Sequence, residues 1–372
     1  MMQQRKRNKT MGKKKKMIIR LMIILMSVIA LSTAVFIYQL KSNLDNMILP
    51  GTNSTTAHQS GDGTEIDEAH SKTNEDFYTL VIGLDYRGNH NALLTDTLMV
   101  LHVIPKESIV KMLSIPRDLL VENKRGNTVK INSLFSEGYS LYRQKAKEDP
   151  SILTGDIVQM GSIKLDKAVL SGSMATTRNK IEEILEIDID HMVLANFTTV
   201  TSLVDEIGGI EIDVKRSMKY RPTNLYLNPG LQVLNGEDAL GYARFREDDR
   251  GNRYYASDFE RGQHQQEVVK ALAEKILSWG NITKAHKLLN IVSDNVKTDI
   301  NYTDMFAMIT KYYDKFNGDS FKTLSFPEYY SPEGDVIIPE EALKKLQTDF
   351  HAIKDVEVIE SEIDTDQSVD MN

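Results

Sequence analysis

Arg244, Arg246 and Arg261, with Asp258 among them, have the residue types and spacing to grip an anion. A guanidinium presents a planar fork of donors that fits phosphate or carboxylate oxygens two at a time. Three such forks on one site imply a ligand with several oxygens. An isolated Arg-x-Arg is more often a solvated surface pair, so the remaining charged positions decide the matter. Asp85, Asp96, Arg117 and Asp118 lie at the ends of three short apolar stretches. Two carboxylates beside arginines describe a pocket for a hard divalent cation and a phosphate, with oxygen ligands for Mg²⁺ and guanidinium forks for the anion. Taken singly, Asp85 and Asp96 would equally serve as turn formers, with Arg117 paired to one of them.

The elements that must position these residues are short. Phe77–Gly83, Thr97–Val103 and Ile109–Ile115 are rich in Val, Ile, Leu, Thr and Met, and each reads as a strand. An antiparallel meander of the three brings the end of the first, the start of the second and the end of the third to one edge. That edge gathers Asp85, Asp96, Arg117 and Asp118. Asn235 is placed to cap a short helix through Leu240, with Glu237 and Asp238 in its first turn. Leu240–Arg246 then reads as a strand that turns Arg244 and Arg246 to one face. Arg261 falls in the first turn of an amphipathic helix, Gln263–Trp279 at its strongest, with Val268, Leu272 and Ile276 on one stripe. Helical segments at Glu182–Leu185, Phe197–Glu206, Thr283–Val292 and Tyr302–Phe316, and strands at Ile210–Val214 and near Phe321–Phe326, complete an α/β domain.

The ends of the chain set its surroundings. Nine of the 45 Lys+Arg and none of the 53 Asp+Glu fall within residues 1–40, which leaves 36 against 53, a net of −17, for the rest. Residues 1–16 form a basic tail, and 17–40 are apolar apart from Arg20, Gln39 and a few small or hydroxylated residues. That length suits a single transmembrane anchor. The basic flank predicts a cytoplasmic N-terminus and an extracellular C-terminal domain at the cell membrane. Residues 41–75 read as an extracellular linker, 76–355 as the folded domain and 356–372 as an acidic tail. A strongly acidic exterior argues against nucleic acid as a partner. The chain has no cysteine, which excludes disulfides, thiolate metal sites and cysteine nucleophiles.

Eight motifs in one order carry a resemblance. They are Gly-x-Asp-x-Arg at Gly83–Arg87, Thr95-Asp96-Thr97, Ser114–Asp118, Lys130-Ile131-Asn132, Leu203–Gly209, Leu234–Leu240, Arg244-Phe245-Arg246 and Asp258–Gln266. Over about Phe77–Leu277 the chain resembles the LytR-CpsA-Psr family of cell-envelope proteins. The resemblance implies a three-layer α-β-α domain with a central mixed sheet and a hydrophobic pocket for a prenyl tail. It also implies a transferase that moves an anionic glycopolymer, such as teichoic acid or a capsule-like polysaccharide, from a polyprenyl-pyrophosphate carrier onto peptidoglycan in a Gram-positive envelope. By position, Asp85 and Asp96 match the family's Mg²⁺ (or Mn²⁺) ligands. Arg117, Arg244 and Arg246 match its pyrophosphate-gripping arginines, and Arg261 the arginine after the Asp-Phe pair. Asp258 orients Arg261 or acts as a base, and Arg87 matches a recurrent position.

Two positions depart from the pattern. Leu94 and His264 stand where the family usually has arginine. His264 would carry a charge at mildly acidic pH, or sit neutral at the surface. The stretch Gly138–Thr176 also fits poorly and reads as an insertion on the acceptor side. A catalytically weak assembly protein that binds polyprenyl pyrophosphates, and a lipid pyrophosphatase, are the competing readings. A glycosidase is disfavoured, because the acids cluster with arginines and do not flank an open cleft.

Overall fold

The computed structural model describes residues 41–42, 47–49, 75–84, 93–160, 163–278, 285–301, 304–305 and 315–352. The expected anchor at 17–40, Asp85, Arg87, most of the expected helix Tyr302–Phe316 and the acidic tail lie outside these residues. The strands are β1 (Phe77–Leu84), β2 (Thr95–Ile104), β3 (Ile109–Ser114), β4 (Leu120–Glu122), β5 (Thr128–Lys130), β6 (Ile157–Met160), β7 (Ile163–Asp166), β8 (His191–Asn196), β9 (Ile210–Val214), β10 (Met218–Tyr220), β11 (Leu225–Leu227), β12 (Gly230–Leu234), β13 (Val296–Thr298) and β14 (Phe321–Leu324). The helices are α1 (Leu134–Glu148), α2 (Lys167–Leu185), α3 (Phe197–Glu206), α4 (Gly236–Arg244), α5 (Asp258–Ser278), α6 (Ala285–Asn295) and α7 (Glu340–His351).

Six strands form a mixed sheet in the order β13-β8-β1-β2-β3-β14. The expected meander is its centre, with β1 antiparallel to β2 and β2 antiparallel to β3. β8 joins β1 and β14 joins β3 in parallel. The central strands are apolar on both faces, as a sheet covered on both sides requires. Leu80, Ile82, Leu98, Val100 and Leu113 meet Phe135 of α1, Leu170, Met174 and Ile181 of α2, and Leu346 and Phe350 of α7. Met99, Val110 and Met112 meet Val269 of α5. A further apolar cluster joins α3, α4, α5 and the strands β9 to β12. Within it Val268, Leu272 and Ile276 are the stripe expected of α5.

One difference from the sequence reading has a plain cause. The expected linker is packed at Met47 and Leu49, because these apolar side chains are buried and Leu49 N–H donates to Thr298 O at 2.7 Å on β13. At the start of α4, a Cβ on Gly236 would collide with the carbonyl of Thr201 in α3. Only glycine allows that approach.

Candidate functional site

The meander edge owes its side-chain directions to one irregularity. β1 and β2 keep register from Phe77 opposite Val103 to Gly83 opposite Thr97, and then Leu84 faces Thr95. Asp96 is therefore the extra residue of a β-bulge, which re-aims a side chain. The bulge is crowded: a Cβ on Gly83 would stand 2.8 Å from Thr97 Cβ. Asp96 Oδ1 accepts from Arg117 Nη1 at 2.5 Å. Arg117 leaves the end of β3 through Pro116, and Ile115 N–H still donates to Leu98 O at 2.8 Å. Gln265 of α5 fixes the same bulge by donating to Asp96 O at 3.3 Å.

The second rim is not the strand that Leu240–Arg246 suggested. Asn235 caps the helix as expected, accepting from Asp238 N–H at 2.9 Å, but α4 continues through Arg244. Ala239, Tyr242 and Ala243 lie one turn apart on its buried face, and burying that face outweighs local strand preference. Arg244 ends the helix with its guanidinium 4.5 Å from the centre of the Phe197 ring, a cation–π contact. Arg246 opens a loop that closes on itself. Asp248 accepts from Arg250 Nε at 2.8 Å, Arg250 Nη2 at 2.7 Å and Lys219 N–H at 3.1 Å, and Ala256 N–H returns to Arg246 O at 2.9 Å. These donors hold the Asp248 carboxyl well below the usual carboxylate range, with the Arg250 side chain the largest cause.

A capping box then starts α5. Ser257 N–H donates to Glu260 Oε2 at 2.8 Å, and Glu260 N–H to Ser257 Oγ at 3.1 Å. One turn of helix places Asp258 and Arg261 together, 2.9 Å apart. Both are nearly sealed from solvent, with side-chain exposures of 5 and 7 %. Burial pushes the Arg261 guanidinium down to about 10, although Asp258 opposes the shift.

The two rims meet through Asp118 and Asp258. Arg117 Nε lies 3.8 Å from Asp118 and 3.7 Å from Asp258, and Arg246 lies 3.6 and 3.8 Å from the same pair. Lys130 adds a contact of 3.4 Å to Asp118. Burial raises the Asp258 carboxyl against the pull of Arg261, and the Asp118 charge adds to the rise. Burial also works against the Asp118 charge, but the hydrogen bond from Asp258 and the charges of Arg117, Lys130 and Arg246 outweigh it and lower that carboxyl. Asp258 is therefore the member of the pair that takes up a proton first as pH falls.

Arg117, Arg244, Arg246, Arg261 and Asp96 all line one cavity of about 1080 Å³. The structure thus brings together Arg117, Arg244, Arg246 and Arg261, while Arg87 lies outside the described residues. Asp258 does not line the cavity. It stands among Arg117, Arg246 and Arg261, where its geometry suits orienting them. The sequence reading missed Arg221 to Asn224, between β10 and β11, which line the same cavity, because nothing local marks that turn as lining a site. It also missed the Asp248–Arg250 lock, whose signal was the acid-rich run after Arg246.

His264 corrects an expectation. Its ring lies 4.4 Å from that of Tyr242, and its Nδ1 is shut off from solvent without a hydrogen-bond partner. Burial, and then Arg216, pushes it down to about 4, so it neither sits free at the surface nor becomes charged at mildly acidic pH. Leu94 precedes β2, 39 % exposed, and puts no charge near Asp96. Among the described residues no three His, Cys, Asp or Glu side chains gather as a metal site. The donor chemistry still suits a hard cation: Asp96 is a carboxylate lining a cavity that arginines also line, and Mg²⁺ usually takes only one or two protein carboxylates beside phosphate oxygens.

Comparison with known proteins places the chain among cell-envelope relatives. The Bacillus subtilis polyisoprenyl-teichoic acid–peptidoglycan teichoic acid transferase TagV is 30 % identical over 258 residues, covering 67 % of this chain and 56 % of that protein. The TagU enzyme of Halalkalibacterium halodurans is 31 % identical over 239 residues, covering 63 % of this chain and 65 % of that protein. The match thus spans less than two thirds of the length of these relatives. The crystal structure of Bacillus subtilis TagV superposes with a TM-score of 0.55 at 28 % identity, covering 74 % of this chain and 96 % of that one. A structure of TagT bound to LIIa-WTA, 22 % identical with a TM-score of 0.52 over 77 % of this chain and 93 % of its own, shares the fold. The model of the LytR_cpsA_psr family matches residues 43–352, and the chain belongs to the LytR-CpsA-Psr family.

Proposed function

We propose that this protein is a membrane-anchored phosphotransferase that moves an anionic glycopolymer from a polyprenyl-pyrophosphate carrier onto a peptidoglycan hydroxyl. The observation that carries this reading is the convergence of Arg117, Arg244, Arg246 and Arg261 with Asp96 on one cavity. In the reaction an acceptor oxygen forms a bond to the glycan-bearing phosphorus. The bridging P–O bond breaks, polyprenyl monophosphate leaves with that electron pair, and the hydroxyl proton is released. The work left to the protein is alignment and neutralisation of charge.

Arg246 and Arg117 reach the anion from the side held by Asp118 and Asp258, and Arg261 is braced from behind by Asp258. Arg244 is set by α4 and Phe197. In this reading Asp96, with Asp85, holds Mg²⁺ or Mn²⁺, which neutralises phosphate charge when bound. The apolar part of the lining, including Leu84, Phe197, Leu225, Leu240 and Phe245, offers a surface for the first prenyl units.

One observation favours a second reading. Leu94 is uncharged and His264 is neutral, so the site carries fewer cations than the family pattern, as a binding protein of low turnover would. Incubation of the purified chain with labelled lipid-linked glycan and peptidoglycan separates the readings. Linked glycan together with polyprenyl monophosphate supports transfer. Monophosphate without linked product would mean hydrolysis, and retained, unreacted lipid would mean a binding protein.

A further inference from the structure

Arg216, in the connection between β9 and β10, reaches three places on the segment that carries Arg246. Its Nη1 donates to Tyr254 O at 2.7 Å. Its Nη2 is shut off from solvent and lies 3.3 Å from Glu260 Oε1. Its guanidinium carbon stands 5.5 Å from the centre of the Phe245 ring, and Phe245 is the buried residue that separates Arg244 from Arg246. Tyr254 comes two residues before Ala256, whose N–H donates to Arg246 O. Glu260 belongs to the capping box of α5, where its other oxygen accepts from Ser257 N–H at 2.8 Å. One side chain therefore holds the residue before Arg246, the return of its loop and the start of the helix that carries Arg261.

Neighbouring bonds run along the same seam. Arg250 Nη2 donates to Ser217 O at 2.7 Å, Asp249 N–H to Lys219 O at 2.8 Å and Lys219 N–H to Asp248 at 3.1 Å. Those bonds hold the middle of the loop, while Arg216 holds its two ends. Arg216 does not line the cavity, whereas Arg246 does, so any effect of Arg216 on an anion passes through the side chain it braces. Arg246 depends on such bracing. Its side chain is 42 % exposed, and its ion pairs with Asp118 and Asp258 are long, at 3.6 and 3.8 Å. Holding a long cation in its bound direction before the ligand arrives lowers the ordering cost of binding. Arg244 is fixed separately, by the end of α4 and the Phe197 ring.

We propose that Arg216 is a positioning residue, bracing both ends of the Arg246 loop so that Arg246 meets the bound anion already aimed. Its part in transfer rests on the function proposed above, but its part in holding the anion does not. The test uses the full chain in detergent micelles, titrated calorimetrically with geranyl pyrophosphate and Mg²⁺ well below the melting temperature of each variant. Arg216→Ala should weaken binding ~10-fold, the order of one charge-assisted hydrogen bond. The same substitution should cost less than about twofold once Arg246 is already alanine, and its full effect in an Arg244→Ala background, because coupling is confined to residues that act together. Arg216→Lys keeps the charge without the fork and should show a smaller loss, which carries the test if Arg216→Ala does not fold. A lower melting temperature with unchanged affinity would make Arg216 a structural residue only and overturn the proposal. So would an undiminished loss in the Arg246→Ala background. Failure of the parent to bind the probe would remove the anion grip and the proposal with it. Binding that depends on Arg216 in a chain that links no glycan to peptidoglycan would keep the proposal and refute the transferase reading.

Discussion

The two rims of the cavity supply the same kinds of side chain by different means. At the meander edge, Asp96 and Arg117 are fixed by strand register, a bulge and the apolar sheet behind them. At the α4–α5 connection, Arg246, Asp258 and Arg261 are fixed by a helix end, a capping box and a loop closed on Asp248. Asp96 is partly open, with 19 % of its side chain exposed, while Asp258 at 5 % is sealed among cations. The lesson is that a charge at the first rim can be removed with little harm to the fold. At the second, the sealed charges of Asp258 and Arg261 are part of what holds the rim together.

The largest effect should come from Asp258→Ala. It leaves Arg261 buried without its 2.9 Å partner, and breaking a buried pair costs on the order of 3 kcal/mol. Urea denaturation should show that loss, and transfer should vanish with it. Asp96→Ala should abolish transfer with a stability change under about 1 kcal/mol. Equal destabilisation by the two variants would break the comparison. Next comes Arg246→Ala. With 42 % of its side chain exposed, this variant should fold normally yet transfer ~10²-fold more slowly, and lysine should rescue only part, lacking the fork. A variant as active as the parent would make this rim a solvated surface.

A smaller effect tests the loop. Asp248→Ala should cost ~1–2 kcal/mol and slow transfer by releasing Arg246, and adding Arg250→Ala should change little more, because the two residues act as one unit. Additive losses in that cycle would show that the lock is not a unit. The smallest effect concerns His264. Its folded value near 4 lies below the ordinary 6.5, so the unfolded chain binds more protons between those values. The stability linked to neutral His264 is complete above about 6.5 and is lost as pH falls toward 4. His264→Phe keeps the ring packing against Tyr242 and should flatten the fall in melting temperature across that window. An unchanged pH profile would assign the fall to other groups.

The meander and its charged edge were legible because three strands with short connections have few arrangements, and period-two patterns fix their faces. The capping signals at Asn235 and the apolar stripe of α5 were legible for the same local reason. Leu240–Arg246 was misread because Leu240, Tyr242 and Phe245 suit strand and helix alike, and only packing against α3 and β11 decides between them. His264 was misread because its neighbour in space, Tyr242, is twenty-two positions away in sequence. The pairing of Asp118 with Asp258 joins residues still farther apart, and no spacing rule announces it.

The contact of Gly236 with the carbonyl of Thr201 bears on how such a site can diversify. With α3 and α4 already touching backbone to backbone, the wall that carries Arg244 cannot retreat by substitution at that crossing. The turn Arg221 to Asn224 lines the same cavity and contains no glycine in such a crossing, its tie being the Arg221–Asp249 contact at 2.8 Å. Variants selected to accept a bulkier or differently charged polymer should therefore accumulate their changes on that turn and leave α4 alone, so that one wall keeps the chemistry while the other drifts with the substrate.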